Sequence, residues 1–157
     1  MAEQEVVLLL GADLGDPVRQ CDAAQERIGE HVGHVVARSR DHWSKPWGFQ
    51  AETLFLNRAL LVSTPLEPAA MLAVCLDIEH HMGRQRDPDG RIVSRLIDID
   101  ILLIGASVID TPGLVVPHPR LHLRRFALAP LCDLLPDWEH PIEHRTALAL
   151  LNALPRT

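Results

Sequence analysis

The nine residues Leu96-Ile97-Asp98-Ile99-Asp100-Ile101-Leu102-Leu103-Ile104 constrain the fold more than any other stretch of the chain. They are too apolar and too rich in β-branched side chains for a loop, and too short to span a membrane. They therefore predict a central β-strand. The two-residue repeat of a strand puts Asp98 and Asp100 on one face and Ile97, Ile99 and Ile101 on the other.

The preceding segments supply partners for that strand. Val6 to Leu10 is a short apolar run ended by Gly11, which reads as a buried strand. Gly15-Asp16-Pro17 gives a turn with Asp16 as helix N-cap and Pro17 at the first helical position, opening a helix to about Gly33. Alternating patterns over Val35–His42 and Leu54–Ser63 predict a hairpin whose loop, Trp43 to Thr53, contains Pro46 and Gly48. Thr64 to Pro68 starts a second helix, with Met71, Leu72, Val74, Cys75, Ile78 and Met82 at helical spacing and Gly83 as the stop. The order β-α-β-β-α-β is that of an α+β, ferredoxin-like core, with two helices packed on one face of an antiparallel sheet. After it comes a Pro-rich C-terminal extension whose last helix runs from about Thr146 to Leu154.

A length of 157 residues predicts a single domain over 1–157. With 47% hydrophobic and 23% charged residues the chain is neither disordered nor fibrous. Its net charge of −6 excludes a broad basic surface for nucleic acid, so an anionic ligand must find a local cluster of arginines. Cys21, Cys75 and Cys132 are scattered among apolar residues with no C-x-x-C spacing, which fits a reducing cytoplasm. No secretory signal or membrane-spanning run is expected. The expected state is a cytoplasmic monomer or weak homodimer acting on small molecules.

Two carboxylates on one strand face repel unless a cation or proton lies between them, and hard oxygen ligands at this spacing suit Mg²⁺. An acidic solvent-facing strand is the competing reading. The adjoining loop holds Arg84, Arg86, Arg91 and Arg95 against only Asp87 and Asp89. Planar, bidentate guanidinium groups beside paired carboxylates suit a Mg²⁺-polyphosphate such as ATP, although a solvated charged loop has the same composition. No G-x-x-x-x-G-K-[ST] occurs, so this is not a P-loop protein. His118, between Pro117 and Pro119 and followed by Arg120, Arg124 and Arg125, is either a second phosphate-contacting edge or a turn residue. His140-Pro141-Ile142-Glu143-His144 matches the H-x-x-E-H zinc pattern, but Pro141 disfavours the helix that pattern requires.

Taken together, these pieces resemble the 6-hydroxymethyl-7,8-dihydropterin pyrophosphokinases of folate biosynthesis. The resemblance rests on Leu10 to Asp16, Pro46-Trp47-Gly48, Phe55-Leu56-Asn57, Ile78-Glu79 with Gly83 to Arg86, Arg95 to Leu102, Pro117 to Arg120, and Arg124-Arg125-Phe126, in that order. It implies transfer of a pyrophosphoryl group from ATP to the hydroxymethyl of a reduced pterin, giving AMP, with two Mg²⁺ held by Asp98 and Asp100. It also implies Arg84, Arg95, Asp98 and Asp100 as catalytic residues, with Glu79, Arg84, Arg86, Arg95, His118 and Arg124 around ATP. The pterin would lie between Phe55 and Phe126, its edge read by Asn57, with Ser44, Pro46 and Trp47 as a wall. The chain departs from the family pattern at Ala12-Asp13, at Val93-Ser94 before Arg95, at Ile92, and at Ser44-Lys45. A non-catalytic ATP- or pterin-binding module of the same fold is the alternative that these departures motivate.

Overall fold

A computed structural model describes residues 3–13, 15–44, 54–83 and 97–156, and the backbone of 85–86 and 92–94. The elements are β1 (Gln4–Ala12), α1 (Pro17–His31), β2 (His34–Arg38), β3 (His42–Ser44), β4 (Phe55–Thr64) and α2 (Pro68–His81). They continue with β5 (Gln85–Arg86), β6 (Ile92–Ser94), β7 (Asp98–Ile104), β8 (Ile109–Thr111) and β9 (Leu114–Val116). A 3₁₀ turn (Leu121–Leu123), α3 (Arg125–Leu134) and α4 (Ala147–Asn152) complete the chain. Local signals act where they were expected. The Asp16 carboxylate accepts the Arg19 N–H at 3.2 Å, and Gly83, at φ 115°, lies just beyond α2 in a conformation that side chains disfavour.

The main sheet runs β2-β4-β1-β7, all neighbours antiparallel, with β3 also paired to β4. This is the ferredoxin-like order. Two departures from expectation follow from what covers the sheet. The predicted strand Val35–His42 breaks at Ser39, whose N–H and hydroxyl both engage the Ala59 backbone, so β2 and β3 pair separately with β4. β7, expected to be central, lies at the end of the described sheet. Its apolar character comes from cover on both faces instead, and its outer edge receives the His118 N–H on Leu102 O at 2.9 Å.

One face packs Val6, Leu8, Leu10, Leu60 and Val62 against α1 and α2. The other packs Val7, Leu9, Ala59 and Leu61 against α3, α4 and the 3₁₀ turn. This second layer is built by the segment expected to be an extension, and α3 passes through Pro130 despite the backbone donor that proline lacks. Burial of Ala127, Leu128 and Leu131 outweighs that lost bond. Two apolar layers explain why Val6 to Leu10 are unbroken and fully covered rather than alternating.

Candidate active site

Directly paired residues of antiparallel strands point to the same face. Asp98 pairs with Gly11, Gly11 with Asn57, and Asn57 with His42, so one row crosses β7, β1, β4 and β3 on the α3 side of the sheet. Asp100 pairs with Leu9 on the same face, and Phe55 with Ser44. The expected parity of Asp98 and Asp100 therefore holds. Ile97, Ile99 and Ile101 enter the α1/α2 core, as expected. Between Ile101 and Leu103 the register against β1 slips by one residue. This bulge at Leu102 sends both Leu102 and Leu103 into the α3 layer.

Asn57 is 1% exposed, and its Nδ2 faces three acceptors: Ser44 Oγ at 2.9 Å, Phe55 O at 3.4 Å and His42 O at 3.5 Å. Those partners fix which end of the amide is nitrogen. The Phe55 ring lies over the bare backbone of Gly11, where a Cβ would stand 2.5 Å from Phe55 Cε1. Phe126, at the start of α3, is partly buried in the layer above the same face, and the Arg124 guanidinium lies 5.4 Å from its ring centroid.

A cleft of about 460 Å³ opens where α2, β7 and the β8–β9 hairpin meet. Its polar lining is Glu79, Asp100 and His118, and its walls include Leu72, Leu76 and Leu114. Glu79 is 7% exposed and its Oε2 accepts the Ile99 N–H at 2.6 Å, tying α2 to the strand of the two aspartates. His118 Nδ1 accepts the Arg120 N–H at 3.2 Å, which puts the ring proton on Nε2. Burial holds the His118 pKa below its ordinary value. Asp100 pulls it up, and Arg124 and Arg120 press it down, so the ring is neutral at pH 7. The turn with His118 follows a cis bond at Val116-Pro117.

The structure thus brings Ser44, Phe55, Asn57, Asp98 and Asp100 onto one sheet face under the layer that carries Phe126. It gathers Glu79, Asp100 and His118 in the adjoining cleft, with Arg124 acting electrostatically on His118. Pro46, Trp47, Arg84 and Arg95 lie outside the described residues, and Arg86 is described only as backbone in β5. Sequence reasoning counted Leu72 in the apolar stripe of α2 and passed over Leu76, one turn further on, although both wall the cleft. Leu76 is 45% exposed although α2 is apolar nearly all round, and an apolar side chain outside the core stripe was the available signal. Among the described residues no group of three His, Cys, Asp or Glu gathers for a metal ion. Asp98 and Asp100 form a pair, which suits a cation that keeps water or phosphate oxygens as its other ligands. In the zinc-like segment, His140 Nδ1 accepts the N–H groups of Ile142 and Glu143, both at 3.1 Å, and so closes a turn.

Residues 7–136 match the model of the 7,8-dihydro-6-hydroxymethylpterin-pyrophosphokinase (HPPK) family. The chain is similar to a 2-amino-4-hydroxy-6-hydroxymethyldihydropteridine pyrophosphokinase of Methylorubrum extorquens, at 39% identity over 82% of this chain and 80% of that one. It is also similar to a protein of the same name from Pseudomonas aeruginosa, at 38% identity over 97% of this chain and 93% of that one. Among solved structures, a wild-type Plasmodium falciparum HPPK-DHPS with STZ-DHP superposes with a TM-score of 0.79 at 16% identity. That likeness covers 96% of this chain and 43% of the solved one, so the chain spans less than half the length of that protein, and the likeness concerns the fold.

Proposed function

The chain belongs to the 7,8-dihydro-6-hydroxymethylpterin-pyrophosphokinase family, and from that premise we propose how its residues divide the reaction. It transfers a pyrophosphoryl group from ATP to the hydroxymethyl of 6-hydroxymethyl-7,8-dihydropterin, a step of folate biosynthesis. The hydroxymethyl oxygen forms a bond to the β-phosphorus and gives up its proton to solvent, the bond from that phosphorus to the α-phosphate oxygen breaks, and AMP leaves.

The observation that carries the division is the row Asp98, Gly11, Asn57. It sets the carboxylate pair and the pterin-edge reader two strand spacings apart, roughly 10 Å, on one face. That separation suits a bicyclic ring whose hydroxymethyl arm points toward the phosphates. Asn57, oriented through its Nδ2, reads the heterocycle edge, and Phe55 and Phe126 supply the stacking faces. Ser44 both orients Asn57 and lines the wall, together with Pro46 and Trp47. Asp98 and Asp100 would hold Mg²⁺, two ions in the proposal, which when bound neutralise phosphate oxygens and align the attacking and leaving oxygens. His118 donates from Nε2 toward the polyphosphate side of the cleft, and Arg84, Arg86, Arg95 and Arg124 clamp the remaining charge. Glu79 holds the Ile99 backbone and hence the angle at which Asp98 and Asp100 are presented. The apolar part of the cleft takes the adenine.

The test is product analysis with ATP and Mg²⁺, with and without 6-hydroxymethyl-7,8-dihydropterin. Pterin-dependent AMP together with a pterin diphosphate in the ³¹P spectrum supports the reading. ADP with a pterin monophosphate would replace it by phosphoryl transfer, and ATP binding without turnover would leave a non-catalytic module.

A further inference from the structure

The carboxylate of Asp133, on α3, collects donors from the corner between β2 and β3. Its Oδ2 accepts the Arg40 backbone N–H at 3.0 Å, Arg40 Nε at 3.3 Å and His42 Nε2 at 2.8 Å, and its Oδ1 accepts an Arg40 terminal nitrogen at 3.1 Å. The Asp133 side chain is 16% exposed and that of His42 24%, whereas Arg40 is 82% exposed. The His42 bond and the backbone bond therefore carry more of the contact than the solvent-screened guanidinium. Burial pushes the Asp133 carboxyl up, but the bonds from Arg40 and His42 outweigh it and hold the pKa at about 2, so the group accepts throughout the working pH range.

The two ends of this contact belong to the two walls assigned to the pterin. On α3, Asp133 and Phe126 are seven residues apart, close to two full turns, and so share one stripe about 10 Å long. On the sheet, His42 is in register with Asn57, and its strand neighbour Ser44 is in register with Phe55. One end of the helix stripe is thus bonded to the strand that carries the polar wall, and the other end carries the aromatic wall.

We propose that Asp133 is a positioning residue for the pterin, fixing α3 to the β2–β3 corner and so setting the separation between Phe126 and the wall of Ser44, Phe55 and Asn57. This rests on the pterin assignment above. Of the residues assigned to the phosphates only Arg124, the N-cap of α3, shares this helix, so the loss falls mainly on the pterin.

The experiment compares wild type, Asp133→Asn, His42→Ala and the double variant. It reads the Kd for 6-hydroxymethyl-7,8-dihydropterin by calorimetry, with Mg²⁺ and a non-hydrolysable ATP analogue, and steady-state kinetics alongside. Asp133→Asn should raise the pterin Kd and KM about tenfold while the KM for ATP and kcat at saturating pterin change less than about twofold. The double variant should be no worse than the poorer single one. If Asp133→Asn fails to fold, Arg40→Ala, which removes only the exposed partner, should raise the pterin Kd about twofold to threefold in a folded protein. An unchanged pterin Kd in the folded variant overturns the proposal, as does an equal rise for both substrates, which marks a general loosening. If wild type binds pterin but makes no AMP, the functional reading fails while the Kd comparison still judges the clamp. If wild type binds no pterin, both fall.

Discussion

Asn57 and Arg58 are neighbours on β4, both buried, and they point to opposite faces of one sheet. Arg58 faces α1 and is consumed by the protein: Nε and NH2 donate to Asp41 at 2.7 and 3.1 Å, and NH1 donates to Asp22 at 2.7 Å and to Gln25 at 3.2 Å. Burial works against its charge, yet the bonds to Asp41 and Asp22 raise its pKa above the usual arginine value. Asn57 faces α3, is held by neutral acceptors, and stands in a row with Asp98. A buried polar side chain is therefore not by itself a sign of function. What separates these two is that one is paired with opposite charge inside the fold, and the other stands in one row with Asp98, across Gly11, on the opposite face. The α1/α2 face carries the Arg58 network, the row of Asp98, Gly11 and Asn57 lies on the α3 face, and the cleft beside it is walled in part by α2.

The division breaks most visibly at Arg58. Arg58→Ala removes a fully buried cation bonded to three side chains and should cost about 3 kcal/mol in urea unfolding, with the KM values of the folded fraction little changed. A comparable rise in pterin KM would show that the faces are not independent. On the other face, Gly11→Ala puts a Cβ against Phe55, and the ring has to move. We expect about 2 kcal/mol of destabilisation together with a pterin KM raised several-fold, read from one set of preparations. Phe126→Ala should raise the pterin KM about tenfold with a smaller loss of stability, since the ring is only partly buried. The smallest effect lies in acid. The Asp133 carboxyl titrates at about 2 in the fold, below its ordinary value, so its stabilisation is complete above about pH 4 and is lost as pH falls toward 2. Discounted for solvent, this is about 1 kcal/mol, and Asp133→Asn should flatten that limb of the stability profile by this amount.

How legible each face was follows from the same physics. The parity of Asp98 and Asp100 could be read because a strand repeat of two is geometry rather than propensity. The bounds of α1 and α2 could be read because Asp16, Pro17 and Gly83 act locally. The edge position of β7 could not, since a strand covered on both faces looks the same at the edge as at the centre. Nor could α3, because Pro130 argues against a helix and the cover over Ala127, Leu128 and Leu131 is a tertiary fact. The break at Ser39 was hidden for a similar reason: it depends on a hydroxyl meeting the Ala59 backbone twenty residues away. Phe55, Asn57 and Phe126 came from resemblance, and the structure adds the register that joins Asn57 to Asp98 through Gly11, with the Phe55 ring over that glycine.

The central claim is that the acidic pair serves the reaction and not the fold. Its most direct test is to measure pterin-dependent AMP release and the urea midpoint on one preparation of Asp98→Asn. Turnover lower by about three orders of magnitude at an unchanged midpoint is the predicted result. Near-normal turnover, or a loss of activity matched by a collapse of the midpoint, would contradict it.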